Sequence, residues 1–188
     1  MFRITVFLMV CGALVFATNG VGAKTEKLEV NPSVLKAIEL SGPERVTDVQ
    51  YLGLSKGKTF HIGQVKADLL LIEIFSMYCP ICQAEAPKVN KLYELLRKNS
   101  KHEEKTKVLG IGTGNSQYEV DVFKKRFEIP FPLVPDPKFN MEKALNTKIR
   151  TPTFIAVKIL PDSHIKIVHT HIGPLGNVEE FIKKLKKP

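Results

Sequence analysis

The sequence has no tryptophan, and only three cysteines and five histidines in 188 residues. It shows no internal repeat and no low-complexity tract, which leaves an ordinary globular chain of a size to bury one sizeable core. No Arg-rich or aromatic-interleaved stretch is present, so the net charge of +9 reads as a solvated basic surface with no nucleic-acid partner. Attraction to an anionic membrane surface is the functional alternative for that charge. Cys79-Pro80-Ile81-Cys82 has no second cysteine pair to complete a four-ligand zinc site. Gln83 stands where a covalent haem site needs histidine. Gly110-x-Gly112-x-Gly114 lacks the further spacing of a dinucleotide fingerprint.

The first apolar run is also short. Ile4 to Ala17 gives 14 residues, whereas a spanning helix needs about 20. Arg3 precedes the run, and Val21-Gly22-Ala23 offers small residues before Lys24. Residues 1–23 therefore read as a secretory signal peptide, in preference to an uncleaved membrane anchor. Cys11 sits mid-run behind bulky Val10, which does not suit a lipoprotein signal. Removal of the leader takes away Arg3 and no acid, so +9 becomes +8. The mature part keeps only Cys79 and Cys82. Export implies a periplasmic or other extracytoplasmic, oxidising compartment. A bridge across two residues closes too small a loop to staple a fold, so a redox role is favoured over a structural one.

Residues 24–45 read as a polar linker and a short helix around Val34–Ile38, with Ser33 as its cap. Val46–Leu54 alternates in part and reads as a strand, forming a hairpin with Thr59–Ile62 across Ser55–Lys58. Leu69–Phe75 is almost continuously apolar, as a central strand buried on both faces should be, with Glu73 interrupting it. Pro80–Lys98 has a helical face at Val89, Leu92, Tyr93 and Leu96, with Pro87 expected to kink it. Strand Lys107–Gly112 and helix Ser116–Phe127, capped by Asn115 or Ser116, come next. Ile129–Pro137 is too proline-rich for helix, and Leu133-Val134 is a candidate edge strand. A short helix over Phe139–Leu145, antiparallel strands over Thr153–Leu160 and His164–Ile172, and a last helix capped by Asn177 complete the chain. The fold class expected is α/β, a mixed central sheet flanked by helices on both faces, in one domain over residues 46–188.

Cys79 opens a helix, where free N–H groups and the helix dipole favour a thiolate. Cys82, one turn on, is turned under the helix and is the natural resolving thiol. His169 and His171 alternate along a strand and read as surface residues, so no metal site is expected. A copper or zinc carrier that uses them with the cysteines is one rival reading.

Tyr78-Cys79-Pro80-Ile81-Cys82 between strand and Pro87-kinked helix resembles the thioredoxin fold. Cys79-x-x-Cys82-x-x-Glu85-x-Pro87, the segment Phe131–Asp136, Thr151-Pro152 before a β-branched strand and His171-Ile172-Gly173 together resemble the TlpA/ResA-like branch of exported thiol-disulfide oxidoreductases. The resemblance runs over about Val46 to Lys186. It implies that Thr151-Pro152 is a cis-proline wall facing the thiols, where substrate backbone can pair by β-augmentation. It also implies that Glu73 is a buried acid with raised pKa, able to take the Cys82 proton, and that Glu85 tunes the thiols. The other reading of Glu73 is a strand-edge carboxylate paired with lysine. Tyr78 stands where the family usually has tryptophan, beside Cys79 and Pro80 on the expected substrate-facing surface. The resemblance further implies a monomeric reductase with no cofactor beyond the redox-active Cys79–Cys82 disulfide. Its substrates would be disulfides of exported proteins, apocytochromes before haem attachment among them, and a membrane thiol-reductant would recharge it. The uncharged Pro80-Ile81 pair suggests a reducing or intermediate couple. A peroxiredoxin-like thiol peroxidase is the second rival.

Overall fold

The computed structural model describes residues 28–99 and 106–185. The leader read over residues 1–23, the start of the linker, most of the charged loop around residues 100–105 and the final Lys186-Lys187 lie outside the described residues. Helix α1 (Pro32–Ala37) is capped by Asn31, not Ser33: the Asn31 side chain accepts the N–H groups of Ser33 and Val34, and Pro32 fills the first turn. Strand β1 (Glu39–Ser41) follows.

Val46–Leu52 is helix α2, and not the strand its partial alternation suggested. Two features decide this. Asp48, Val49, Tyr51 and Leu52 are its covered residues, which repeat at three to four as on one face of a helix. Gly53 then stops the helix in the left-handed conformation, at φ 67°. The expected hairpin is therefore replaced: β2 (Thr59–His61) pairs antiparallel with β1, setting Leu40 opposite Phe60.

The central strand falls as expected. β3 (Leu69–Phe75) is buried at every residue. It leads to helix α3 (Pro80–Asn99), which continues through Pro87, then to β4 (Thr106–Thr113) and helix α4 (Gln117–Arg126). Ser116 and Glu119 close a reciprocal capping box at the start of α4. β5 (Leu133–Asp136) is an edge strand, α5 (Asn140–Leu145) follows, β6 (Thr153–Ile159) and β7 (Ile165–Ile172) pair antiparallel, and α6 (Val178–Leu185) ends the described chain.

The main sheet has the order β5-β4-β3-β6-β7, with β3, β4 and β5 parallel, β6 antiparallel to β3, and β7 antiparallel to β6. The side-chain period of two divides β3 between two cores. Leu69, Leu71 and Phe75 pack with α3, α4 and α6. Leu70, Ile72 and Ile74 pack with α1, α2, α5 and the β1–β2 ribbon. Residues 35–40, before the expected domain start, supply Leu35, Ile38 and Leu40 to that second core. Glu73 falls on the α3 side by parity, opposite Gly110 of β4 and Phe154 of β6.

Candidate active site

The C-terminal end of β3 turns through Ser76-Met77-Tyr78 into α3. Cys79 N–H returns to Ser76 O at 3.0 Å, and Cys79 O accepts the N–H of Gln83 at 3.1 Å as the first helical bond. Cys79 is thus the cap of α3. Its Sγ takes the place of a capping oxygen, accepting the N–H of Cys82 at 3.3 Å. Pro80 follows at a position where a missing N–H costs nothing.

The two thiols are free and differ sharply in surroundings. Cys79 is half-buried, whereas Cys82 is wholly buried in the core beneath α3. Burial alone would raise the Cys79 pKa. Hydrogen bonding from the Thr151 side chain, the Cys82 thiol and the amides of Cys82 and Ile81 outweighs it and holds the thiol below its ordinary value. Cys82 moves the other way, pushed far up by desolvation first and by its hydrogen bond to Cys79 second. One thiol is therefore poised to attack and the other holds its proton.

The opposite wall comes from 72 residues further on. Thr151-Pro152 is a cis peptide bond, and the Cys79 thiol donates to the Thr151 carbonyl at 3.3 Å. That bond belongs to the neutral thiol, while the Thr151 side chain favours the thiolate. Pro152 is buried, and its carbonyl accepts the N–H of Gly173 at 2.8 Å, tying this wall to the loop after β7.

Glu73 is 2 % exposed, on the face of the sheet that Cys82 packs against. Desolvation, with a smaller push from the Glu85 charge, raises its pKa to about 8. Glu85 is also buried, but its oxygens are turned to other partners. Oε1 meets Lys88 Nζ at 2.7 Å, and Oε2 accepts the Leu175 N–H at 2.9 Å. Neither oxygen is bonded to a thiol, and the Glu85 charge bears on Glu73.

Tyr78 and Ile81 are exposed beside Cys79, as is Pro80. The Tyr78 hydroxyl donates to Glu119 in the capping box of α4. His169 and His171 are half-buried rather than lying on an open surface. Their rings stack 6.4 Å apart and meet Phe181 of α6 edge-on. Among the described residues no group of three or more His, Cys, Asp or Glu side chains is arranged to hold a metal.

Two positioning residues have no signal in the sequence. Buried Asn115 accepts the Met77 N–H at 2.8 Å, and Gln83 donates to the Met77 carbonyl at 2.7 Å. Together they grip both polar groups of the residue two before Cys79. Asn115 reads locally as a helix cap, but its partner lies 38 residues away.

Comparison with known proteins agrees with this geometry. A family model described as Redoxin matches residues 43–185. The chain is 24 % identical over 189 residues to the thiol-disulfide oxidoreductase ResA of Bacillus thuringiensis, with 98 % of this chain and 95 % of the relative covered. It is 25 % identical to ResA of Halalkalibacterium halodurans over 133 residues, 70 % of each chain. Among solved structures, StoA from Bacillus subtilis superposes with a TM-score of 0.53 at 22 % identity, covering 69 % of this chain and 90 % of its own. A secreted Mycobacterium tuberculosis disulfide oxidoreductase homologous to Escherichia coli DsbE gives 0.56 at 15 % identity, covering 82 % and 98 %. These two likenesses establish the thioredoxin-like fold. With the family match spanning most of the chain and the thiol pair placed at the start of α3, the chain belongs to the redoxin family and is a thiol-disulfide oxidoreductase of the TlpA/ResA-like kind.

Proposed function

We propose that the protein reduces disulfides of exported proteins outside the cytoplasm, with Cys79 as attacking thiol and Cys82 as resolving thiol. The observation that carries this reading is the asymmetry of the pair: Cys79 is reachable and favoured as thiolate, and Cys82 is 0 % exposed. In the first step the Cys79 thiolate attacks one sulfur of the substrate disulfide. A Cys79–substrate bond forms, the substrate S–S bond breaks, and the second substrate sulfur leaves as thiolate. In the second step Cys82 gives up its proton and attacks Cys79 Sγ. The Cys79–Cys82 disulfide forms, the substrate departs reduced, and two electrons have passed from the dithiol.

Glu73 handles the proton of the buried thiol. Its raised pKa keeps it mainly neutral at pH 7, with an ionised fraction that takes the Cys82 proton when that thiol attacks. When a donor reduces the disulfide again, neutral Glu73 returns the proton to the departing Cys82 thiolate. The backbone at Thr151 offers pairing for an extended substrate segment beside Cys79, flanked by Tyr78 and Pro80. The leader expected over residues 1–23 supports an extracytoplasmic site of action, as does the secreted neighbour among the solved structures. Among the described residues no helix is long and apolar enough to cross a membrane. A membrane thiol-reductant is the proposed electron donor, apocytochromes are one proposed substrate class, and a monomer is the proposed working form.

Trapping tests this reading. Cys82→Ser in cells leaves the mixed disulfide on Cys79 unresolved. The expected catch is a set of exported cysteine-containing proteins, released by reductant and lost in Cys79→Ser. Recovery of no exported protein, together with rapid peroxide consumption by the purified dithiol, would reassign the protein to the thiol peroxidases.

A further inference from the structure

The loop between β7 and α6, Gly173-Pro174-Leu175-Gly176, is held at three points. Gly173 N–H donates to Pro152 O at 2.8 Å. Leu175 N–H donates to Glu85 Oε2 at 2.9 Å. His171 Nε2 lies 2.7 Å from the Pro174 carbonyl. A carbonyl only accepts, so His171 carries its proton on Nε2 and donates it. Gly173 and Gly176 bracket the loop at φ 91° and 68°, left-handed conformations that suit glycine, so backbone stiffness alone does not set the path between them. The His171 ring is placed from several sides, by Phe154 at 6.2 Å, Phe181 at 5.6 Å and the stacked His169.

We infer that His171 is a positioning residue for the proton-handling acids: by holding the Pro174 carbonyl it aims the Leu175 N–H at Glu85 and keeps that carboxylate beside Glu73. The inference rests on the proton role proposed for Glu73. Lys88 and Leu175 N–H take one oxygen of Glu85 each, so both oxygens of the carboxylate are fixed in a buried place. Loss of the Leu175 bond frees Glu85 to follow Lys88, which is half exposed, towards water. Glu73 then loses a neighbouring negative charge. The titratable groups brought to this side of the sheet include Cys79, Cys82, Glu85, Lys88 and Tyr93 from α3, Tyr51 from α2, Lys124 from α4, Glu73 from β3, and His169 and His171 from β7. From α6, Glu179 is paired outward with Lys91. Gly110 and Phe154 beside Glu73 add no charge.

The test follows the Glu73 carboxyl carbon by NMR across pH in the reduced full chain, assigned by its loss in Glu73→Gln. His171→Phe keeps the ring contacts and removes the donor. His171→Gln keeps an N–H near the position of Nε2. His171→Leu replaces the Phe variant if the larger ring unfolds the chain. The Glu73 midpoint is expected to fall by about one pH unit in His171→Phe, and to stay at the parental value in His171→Gln. In a Glu85→Gln background, His171→Phe should move it no further, since the charge it positions is gone. An unchanged midpoint in His171→Phe, an equal fall in His171→Gln, or an undiminished fall without Glu85 would each overturn the inference. The second step of exchange reports separately. If Glu73→Gln resolves mixed disulfides at the parental rate, the proton role of Glu73 fails, while the titration still decides what His171 positions.

Discussion

The two faces of β3 are built from one heptapeptide and do different work. Leu70, Ile72 and Ile74 enter a core made almost wholly of aliphatic side chains, with Leu35, Ile38, Leu40, Leu52 and Ile155 around them. Leu69, Leu71, Glu73 and Phe75 face the other way, towards a core that holds Cys82 and the rings of Tyr93, Phe123, Phe131, Phe154 and Phe181. A carboxyl and a thiol survive on that second face because both hold their protons, which removes the large cost of burying a charge. The strand can therefore anchor the fold on one side and store exchangeable protons on the other.

The largest expected effects separate the faces most cleanly. Cys79→Ser should abolish disulfide exchange, read as insulin reduction, while thermal melting shows a folded protein. Ile72→Ala, on the same strand but on the opposite face of the sheet from the thiols, should do the reverse. It deletes a fully buried side chain and should cost about 2–5 kcal/mol of stability, read by denaturant unfolding. Its exchange rate per folded molecule should stay within about twofold of the parent, because no group on that face touches substrate or proton. A large rate loss in Ile72→Ala would show that the faces are coupled.

Glu73→Gln comes next. Resolution of a mixed disulfide by Cys82 should slow by about a hundredfold, the usual size of a lost general base, while attack by Cys79 continues. Stability should change its pH dependence as well. The folded pKa of Glu73, about 8, lies above the ordinary 4.5, so the folded state binds the proton more tightly. The stabilisation from that proton is fully present below about pH 4.5 and is lost as pH rises through 8. Melting temperature against pH should therefore fall across this window in the parent, and fall less in Glu73→Gln. An identical slope in both proteins would mean that Glu73 does not titrate there.

The same comparison explains what could be read in advance. The site is carried by local signals: an apolar strand, Cys-x-x-Cys at a helix start, an acid inside the strand and a Thr-Pro before a later β-branched strand. Each is a local pattern with a chemical meaning, and the structure brings Cys79, Cys82 and Thr151 together, with Glu73 on the same side of the sheet. The aliphatic face was harder to read. Its covering elements are short, and Val46–Leu52 carries spacings that fit strand and helix alike until the left-handed Gly53 decides between them. The supporting hydrogen bonds were illegible for a different reason. Glu85 to Leu175 spans 90 residues and Met77 to Asn115 spans 38, and no local pattern encodes a partner at such range.

Asn115→Ala tests that unread layer. The Met77 N–H would lose its acceptor, and the turn before Cys79 one of its two holds. The cost of an unpartnered amide is about 1–3 kcal/mol, and the Cys79 alkylation rate should drop several-fold as the cap geometry of α3 loosens. In the parent, alkylation of Cys79 should rise with pH to a midpoint below the ordinary thiol value of 9.0, with Cys82 unmodified throughout. Asn115→Ala should move that midpoint up, because the amides of Ile81 and Cys82 are then less well aimed at the sulfur.

The smallest effect is expected at the rim. The Tyr78 hydroxyl donates to Glu119, and both side chains stand in solvent, where such a bond contributes little to stability. Tyr78→Phe should leave melting unchanged and alter exchange with a small aromatic disulfide by less than about twofold. A protein substrate is the sharper probe, since it must pack against the ring next to Cys79. If Tyr78→Phe and Glu119→Gln slow exchange with a protein disulfide equally, and neither affects the small one, then α4 takes part in recognition by fixing where the ring stands. If neither substrate notices, the ring contributes only apolar area. The chemistry would then be confined to the α3 face of β3 and the Thr151 wall, with α4 supplying apolar packing to that face and the turn before it supplying Asn115.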